Sequence, residues 1–254
     1  MAAAVDLAFS WEGSSDAPVV VLSHAIGTSM ALWDPQVAPL SQRLRVLRYD
    51  HRGHGRSPVP AGPYTIEDLG RDFLRLLDRL NLASVSFCGL SLGGMVGMWL
   101  GANAPERIDR LVLCCTAARM LRPEDYATRA ARVRKDGPEP IAGMVIGRWF
   151  SQGFAASHPQ EVASIRSLFL STNPEGYAAT CEALAAMDLR DEIGRITAQT
   201  LVIAGGEDQA TPVQQAEQIA AAIPGARLSV IPGAGHLANI EAPEAIVKAI
   251  NGDG

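Results

Sequence analysis

The chain has 254 residues, a formal net charge of −5, 48% hydrophobic residues and 19% charged residues. That is the balance of an ordinary soluble globular protein, long enough for one large α/β domain that buries roughly 70–75% of its unfolded surface. No basic patch suggests nucleic acid, no apolar run approaches the ~18 residues of a membrane span, and the N-terminus lacks a signal peptide, so a cytoplasmic protein without nucleic-acid or membrane partners is expected.

In chain order, Val5–Trp11 reads as a short edge strand and Val19–Ser23 (VVVLS) as a buried one that leads into His24-Ala25-Ile26-Gly27-Thr28. Val46–Tyr49 is the next apolar run. The polar loop after it holds His51 and His54, read as structural histidines that hydrogen-bond the loop. Thr65–Leu80 places Leu69, Phe73, Leu76, Leu77 and Leu80 at helical spacing, and Thr65 with Asp68 resembles a capping box. Ser84–Cys88 reads as a buried strand, Leu92–Asn103 as a helix and Leu111–Cys115 as a further strand.

The alternation then stops. Between Arg119 and Arg190 the patterns are helical: Arg129–Lys135, Ile141–Phe150, Gln160–Leu170 and Tyr177–Met187. His158, in a Ser-His-Pro turn, is read as solvent-facing. Strand patterns resume at Thr200–Ala204 and Arg227–Ile231, and Asn251–Gly254 is expected to fray. Alternating β and α elements imply a mostly parallel, doubly wound sheet. Residues 1–118 and 191–254 would form this core, and residues 119–190 a helical cap that excludes water and shapes a substrate pocket. Cys88 and Cys114 fall in buried strands, and neither they nor Cys115 and Cys181 show metal-ligand spacing, so reduced core thiols and no metal are expected.

Chemistry concentrates at Gly89-Leu90-Ser91-Leu92-Gly93, a G-x-S-x-G frame between the strand and the helix. A sharp turn there lifts the serine hydroxyl above the sheet, and the glycines keep the turn free of side chains. A serine hydroxyl needs a base to take its proton, and the base needs an orienting acid. Asp208 follows one late strand and His236, in Pro232-Gly233-Ala234-Gly235-His236, follows the next, which is the chain order an elbow serine requires. Glu207 is the rival acid. Developing negative charge on the substrate oxygen needs preorganised donors. The N–H of Leu92 supplies one and that of Ile26 the second, with Ala25 as the fallback.

The elbow, the order of its partners and the inserted cap together resemble the α/β-hydrolase superfamily over essentially the whole chain. SHAIGTSMALWDPQ (23–36), RYDHRGHGRS (48–57), GPYT (62–65), GANAPERIDRLVL (101–113) and the cap pieces Arg148-Trp149-Phe150, Glu175-Gly176-Tyr177, Cys181-Glu182-Ala183 and Asp188-Leu189-Arg190 are more narrowly similar to 3-oxoadipate enol-lactonases. The family's usual Asn-Ser pair in the oxyanion loop is replaced here by His24-Ala25. The resemblance implies opening of an enol-lactone to 3-oxoadipate in aromatic catabolism through an acyl-enzyme, with no cofactor. Such a lactone carries a carboxylate, for which Arg148 is the first candidate partner and Arg190 and Tyr177 weaker ones; Trp33 and Trp149 are candidate pocket walls. Rival readings are a broad carboxylesterase, lactonase or thioesterase on the same residues, a carbon–carbon bond hydrolase and a non-catalytic lactone-binding protein.

Overall fold

The computed structural model describes residues 3–252. Its seven strands are β1 (Phe9–Glu12), β2 (Val19–Ser23), β3 (Arg45–Tyr49), β4 (Val85–Leu90), β5 (Ile108–Cys114), β6 (Gln199–Gly205) and β7 (Arg227–Ile231). They form one sheet in the order β1-β3-β2-β4-β5-β6-β7, parallel except for β1, which runs antiparallel to β3. The inner strands are near-continuous apolar runs because helices cover both faces of a parallel sheet.

Strand ends depart from the sequence reading for identifiable reasons. Residues 5–8 do not join β1, because the Val5 N–H donates to Asp72 Oδ1 at 2.7 Å and the Ala8 N–H to Ser57 Oγ at 2.9 Å. β5 begins three residues earlier than the apolar run, since Asp109 and Arg110 at its outer end hide the pattern. β4 continues through Gly89 and Leu90, held in register with Leu113 and Cys114.

The core helices are α1 (Asp34–Ser41), α2 (Ile66–Arg79) and α3 (Leu92–Asn103). At the start of α2 the Asp68 N–H donates to Thr65 Oγ1 at 3.0 Å and the Thr65 N–H to Asp68 Oδ2 at 3.0 Å, a reciprocal capping box. Between β5 and β6 the chain inserts α4 (Pro123–Asp136), α5 (Glu139–Trp149), α6 (Gln152–Ser157), α7 (Pro159–Leu170) and α8 (Pro174–Ala186). Here α4 starts at a proline and α8 at Asn173-Pro174, with Asn173 Oδ1 accepting the Glu175 and Gly176 N–H groups at 3.0 and 3.1 Å. The six-residue α6 is too short to show a period, although Ser151 caps it. The insertion leaves and rejoins the core side by side: Arg119 bridges Asp188, and the Leu189 N–H donates to the Ala118 carbonyl at 2.8 Å.

α9 (Val213–Ala222), α10 (Ala238–Glu241) and α11 (Pro243–Asn251) complete the fold. Asn251 closes α11 rather than fraying, and Gly252 caps it at φ 81°; Asp253 and Gly254 lie outside the described residues. One contiguous apolar core joins the sheet to the inserted helices. No helix among the described residues is long and apolar enough to cross a membrane.

Strand order places the site. After β3 pairs on one side of β2, β4 pairs on the other, so the order reverses at β2 and the loops after β2 and β4 flank a crevice. Ser23 stands opposite Gly89 in that register.

Candidate active site

Ser91 lies between β4 and α3 at φ 55° and ψ −111°, a conformation that a side-chain-bearing residue adopts at a cost of about 1–3 kcal/mol. The surroundings enforce it. The Ser91 N–H donates to the Cys114 carbonyl at 2.9 Å, and its own carbonyl accepts from Met95 N–H at 3.0 Å and Thr116 Oγ1 at 2.8 Å. A Cβ on Gly89 would stand 2.2 Å from the Gly93 carbonyl, and one on Gly93 would stand 2.2 Å from the Ser23 carbonyl oxygen. Only glycine permits that approach. The Ser91 side chain makes no capping bond to α3, so its hydroxyl is left for other work.

Asp208 follows β6 and His236 follows β7, both buried. Asp208 Oδ1 accepts the Ala210 and Thr211 N–H groups at 2.7 and 2.8 Å, and Oδ2 accepts Thr211 Oγ1 at 2.8 Å. The same Oδ2 meets His236 Nδ1 at 2.8 Å. Burial pushes the Asp208 carboxyl upward, but the imidazole and the Thr211 donors outweigh it and hold the pKa below its usual value. An ionised carboxylate only accepts, so Nδ1 carries the proton and Nε2 is left as the acceptor. Glu207 is exposed and has no bond to His236 among the described residues. No hydrogen bond among the described residues joins Ser91 to His236; the two meet on the wall of one cavity of about 240 Å³.

Ile26 lines that cavity, and Leu92 is the first residue of α3. The opening N–H groups of a helix have no intrahelical partner and carry the positive end of its dipole. The loop bearing Ile26 is fixed from below by three histidines. His54 Nε2 accepts the Gly27 N–H at 3.0 Å, and His24 Nε2 accepts the His51 N–H at 3.1 Å, so each of these rings holds its proton on Nδ1. Those protons meet the Arg52 carbonyl at 3.2 Å and the Ala25 carbonyl at 2.8 Å. His51 Nε2 contacts Ser23 Oγ at 3.0 Å, and Ser23 Oγ contacts Tyr49 Oη at 2.8 Å. Burial lowers the His24 pKa to about 4 and that of His54 to about 3, and holds His51 well below its usual value. All three are neutral at pH 7 and structural. His158, by contrast, is exposed and stacks on Phe154.

The inserted helices supply the other wall. Arg148 and Trp149 from α5 line the cavity, with Arg148 Nη2 at 3.5 Å from the Gln209 carbonyl. One expected wall residue, Trp33, and one expected carboxylate partner, Tyr177, do not reach it. Trp33 ends a 3-10 turn, Met30–Trp33, that carries its ring fully into the core. Tyr177 is fully buried behind Arg129, with its hydroxyl 3.4 Å from Arg129 Nη1 and its ring edge-on to Phe169. Arg190 lies at the foot of the insertion, ion-paired to Asp188 at 2.6 Å, and lines a different cavity. The sequence reading passed over Arg129 and Tyr126, both of which line the site. Their signal was readable: Tyr126, Arg129 and Val133 share one face of α4, so an arginine stands on the apolar stripe. Among the described residues no group of His, Cys, Asp or Glu is arranged to hold a metal ion.

A serine held in strain at a strand–helix elbow, with a paired Asp and His beside it at the switch point of a parallel sheet, defines a class of enzyme. Residues 18–243 match the family model of the alpha/beta hydrolase fold, and the chain belongs to that family. It is a hydrolase of the carboxylic-ester class, similar to 3-oxoadipate enol-lactonase 2 of Acinetobacter baylyi at 37% identity over 97% of this chain and 92% of that one. The crystal structure of the enol-lactonase from Burkholderia xenovorans LB400 superposes with a TM-score of 0.94 at 44% identity, covering 98% of this chain and 97% of that one. A malate-bound thermophilic esterase from Thermogutta terrifontis is also similar, with a TM-score of 0.91 at 34% identity, covering 96% of this chain and 91% of that one.

Proposed function

We propose that the protein opens an enol-lactone of the 3-oxoadipate type through an acyl-enzyme on Ser91. His236, oriented by Asp208, takes the hydroxyl proton as Ser91 Oγ bonds to the lactone carbonyl carbon. The oxyanion rests on the N–H groups of Leu92 and Ile26. Collapse breaks the ring C–O bond and expels an enolate, which takes up the proton held by His236 and becomes the ketone, leaving His236 neutral. Water activated by His236 then releases the acid and returns the proton to Ser91.

The observation that carries this reading is the Asp208–His236 pair, which opens with Ser91 onto one small, arginine-lined cavity. At about 240 Å³ the space falls below the usual ~300–1,000 Å³ of drug-sized sites, which supports a compact substrate over a long acyl chain or an aryl dienone. Residues 119–190 act in this reading as the cap that excludes water. Four buried free thiols support a reducing, cytoplasmic setting. The likeness to an esterase favours one rival, a general carboxylesterase on the same residues. The two readings separate on kcat/KM for 3-oxoadipate enol-lactone against p-nitrophenyl acetate. The lactone is expected to lead by orders of magnitude; equal rates would leave a general esterase.

A further inference from the structure

Arg129 is an anomaly in the free enzyme. Its side chain is nine-tenths buried on α4 and lines the cavity that holds Ser91 and His236. Its protein partners are weak: Tyr177 Oη at 3.4 Å, and the Tyr126 ring, whose centroid lies 4.6 Å from the guanidinium carbon. Nε has no partner, and among the described residues no carboxylate pairs with it. The other buried arginine, Arg52, is held bidentate by Asp72 at 2.5 and 2.7 Å. Asp125, the acid on the wall of the same cavity, is already committed to Arg122 at 2.7 Å. A buried cation without a counter-ion is unfavourable unless something outside the protein completes it.

We infer that Arg129 is the docking site for a carboxylate carried by the acyl substrate, so that the site takes lactones and esters of dicarboxylic acids with one end on Ser91 and the other on Arg129. The orientation rests on the Ser91 reading above; the anion site stands on Arg129 itself. A planar guanidinium with free N–H groups matches a carboxylate in two parallel bonds. An adjoining opening shares Arg129 as part of its wall; there Arg122 and Asp125 neutralise each other, and Arg132 and Arg148 leave the opening positive, which draws anions inward on a chain whose net charge is −5. Arg148 is half-exposed and belongs to this approach rather than to the floor. An uncompensated buried charge also predicts that Arg129→Met makes the unliganded protein more heat-stable than wild type, while a carboxylate ligand stabilises only the wild type.

The test compares wild type, Arg129→Met, Arg129→Lys and Arg148→Met on mono-p-nitrophenyl glutarate and the neutral p-nitrophenyl valerate, together with thermal unfolding in glutarate against matched sodium chloride. Arg129→Met should lower the ratio of kcat/KM, carboxylate ester over neutral ester, by about ten- to a hundred-fold, with Arg129→Lys between it and wild type and Arg148→Met changing the ratio only a few-fold. Glutarate should raise the wild-type Tm and leave that of Arg129→Met unmoved. A ratio that survives in Arg129→Met, or a glutarate shift that persists there, overturns the inference. If no ester is turned over by wild type yet the Arg129-dependent glutarate shift is present, the anion site stands and the Ser91 reading falls.

Discussion

The three histidines beneath the oxyanion loop make the fold acid-sensitive in a defined window. His24 and His54 each use Nε2 as an acceptor, for the His51 and Gly27 N–H groups, so protonation breaks both bonds and buries a charge. Their folded pKa values are lowered from 6.5 to about 4 and about 3 by burial. The unfolded chain therefore binds more protons, and stability is complete above 6.5, falls as pH drops below it, and stops falling below the folded values. At pH 5 the loss is set by the unfolded value, because both folded values lie a unit or more lower. Each histidine then costs about 2 kcal/mol, and the pair about 4 kcal/mol, against a total stability on the order of 5–15 kcal/mol. His51 adds in the same direction. Urea denaturation at pH 7.5 and pH 5.0 should show a loss of at least this size, and His54→Asn, whose side chain does not titrate, should reduce it by about 2 kcal/mol, the share of one histidine. A difference below about 1 kcal/mol between the two pH values, or a His54→Asn pH dependence equal to that of wild type, would show that these histidines do not set the acid sensitivity.

Two further outcomes follow from the elbow and its partners. Gly93→Ala puts a methyl 2.2 Å from the Ser23 carbonyl, so the urea midpoint should drop by the equivalent of about 1–3 kcal/mol or more and activity should fall with it. Asp208→Asn leaves the shape but removes the acceptor that keeps the His236 proton on Nδ1, and kcat should fall by roughly 10³–10⁴ while KM moves far less.

Much of this was legible in the chain, for physical reasons. Inner parallel strands are buried on both faces, so VVVLS stands out and matches β2 residue for residue; RLSVI also matches β7, but that edge strand is largely exposed and is marked by its alternating Leu228 and Val230 rather than by burial. Strand starts that reach the sheet's outer end carry charge, as Asp109 and Arg110 do, and escape an apolar pattern. Ser91, Asp208 and His236 were readable because each sits in a glycine-rich or polar loop directly after a strand, which confines where its side chain can go. Cap residues lack that constraint. Trp33 and Tyr177 are aromatic and near the right loops, but which way a short 3-10 turn or a helix face points is decided by packing, and both point into the core. Arg129 was hidden for the opposite reason: a cation is read as a solvated face unless its place on the helix stripe is checked against Tyr126 and Val133.

The proposed mechanism requires Ser91 to form the acyl-enzyme. Intact-mass and peptide analysis after treatment with a serine-reactive fluorophosphonate tests it directly, alongside turnover by Ser91→Ala. One adduct on the peptide containing Ser91, absent from Ser91→Ala together with all lactone and ester hydrolysis, is the predicted result. An adduct on another residue, or a Ser91→Ala protein that still opens the lactone at a rate near wild type, would contradict it.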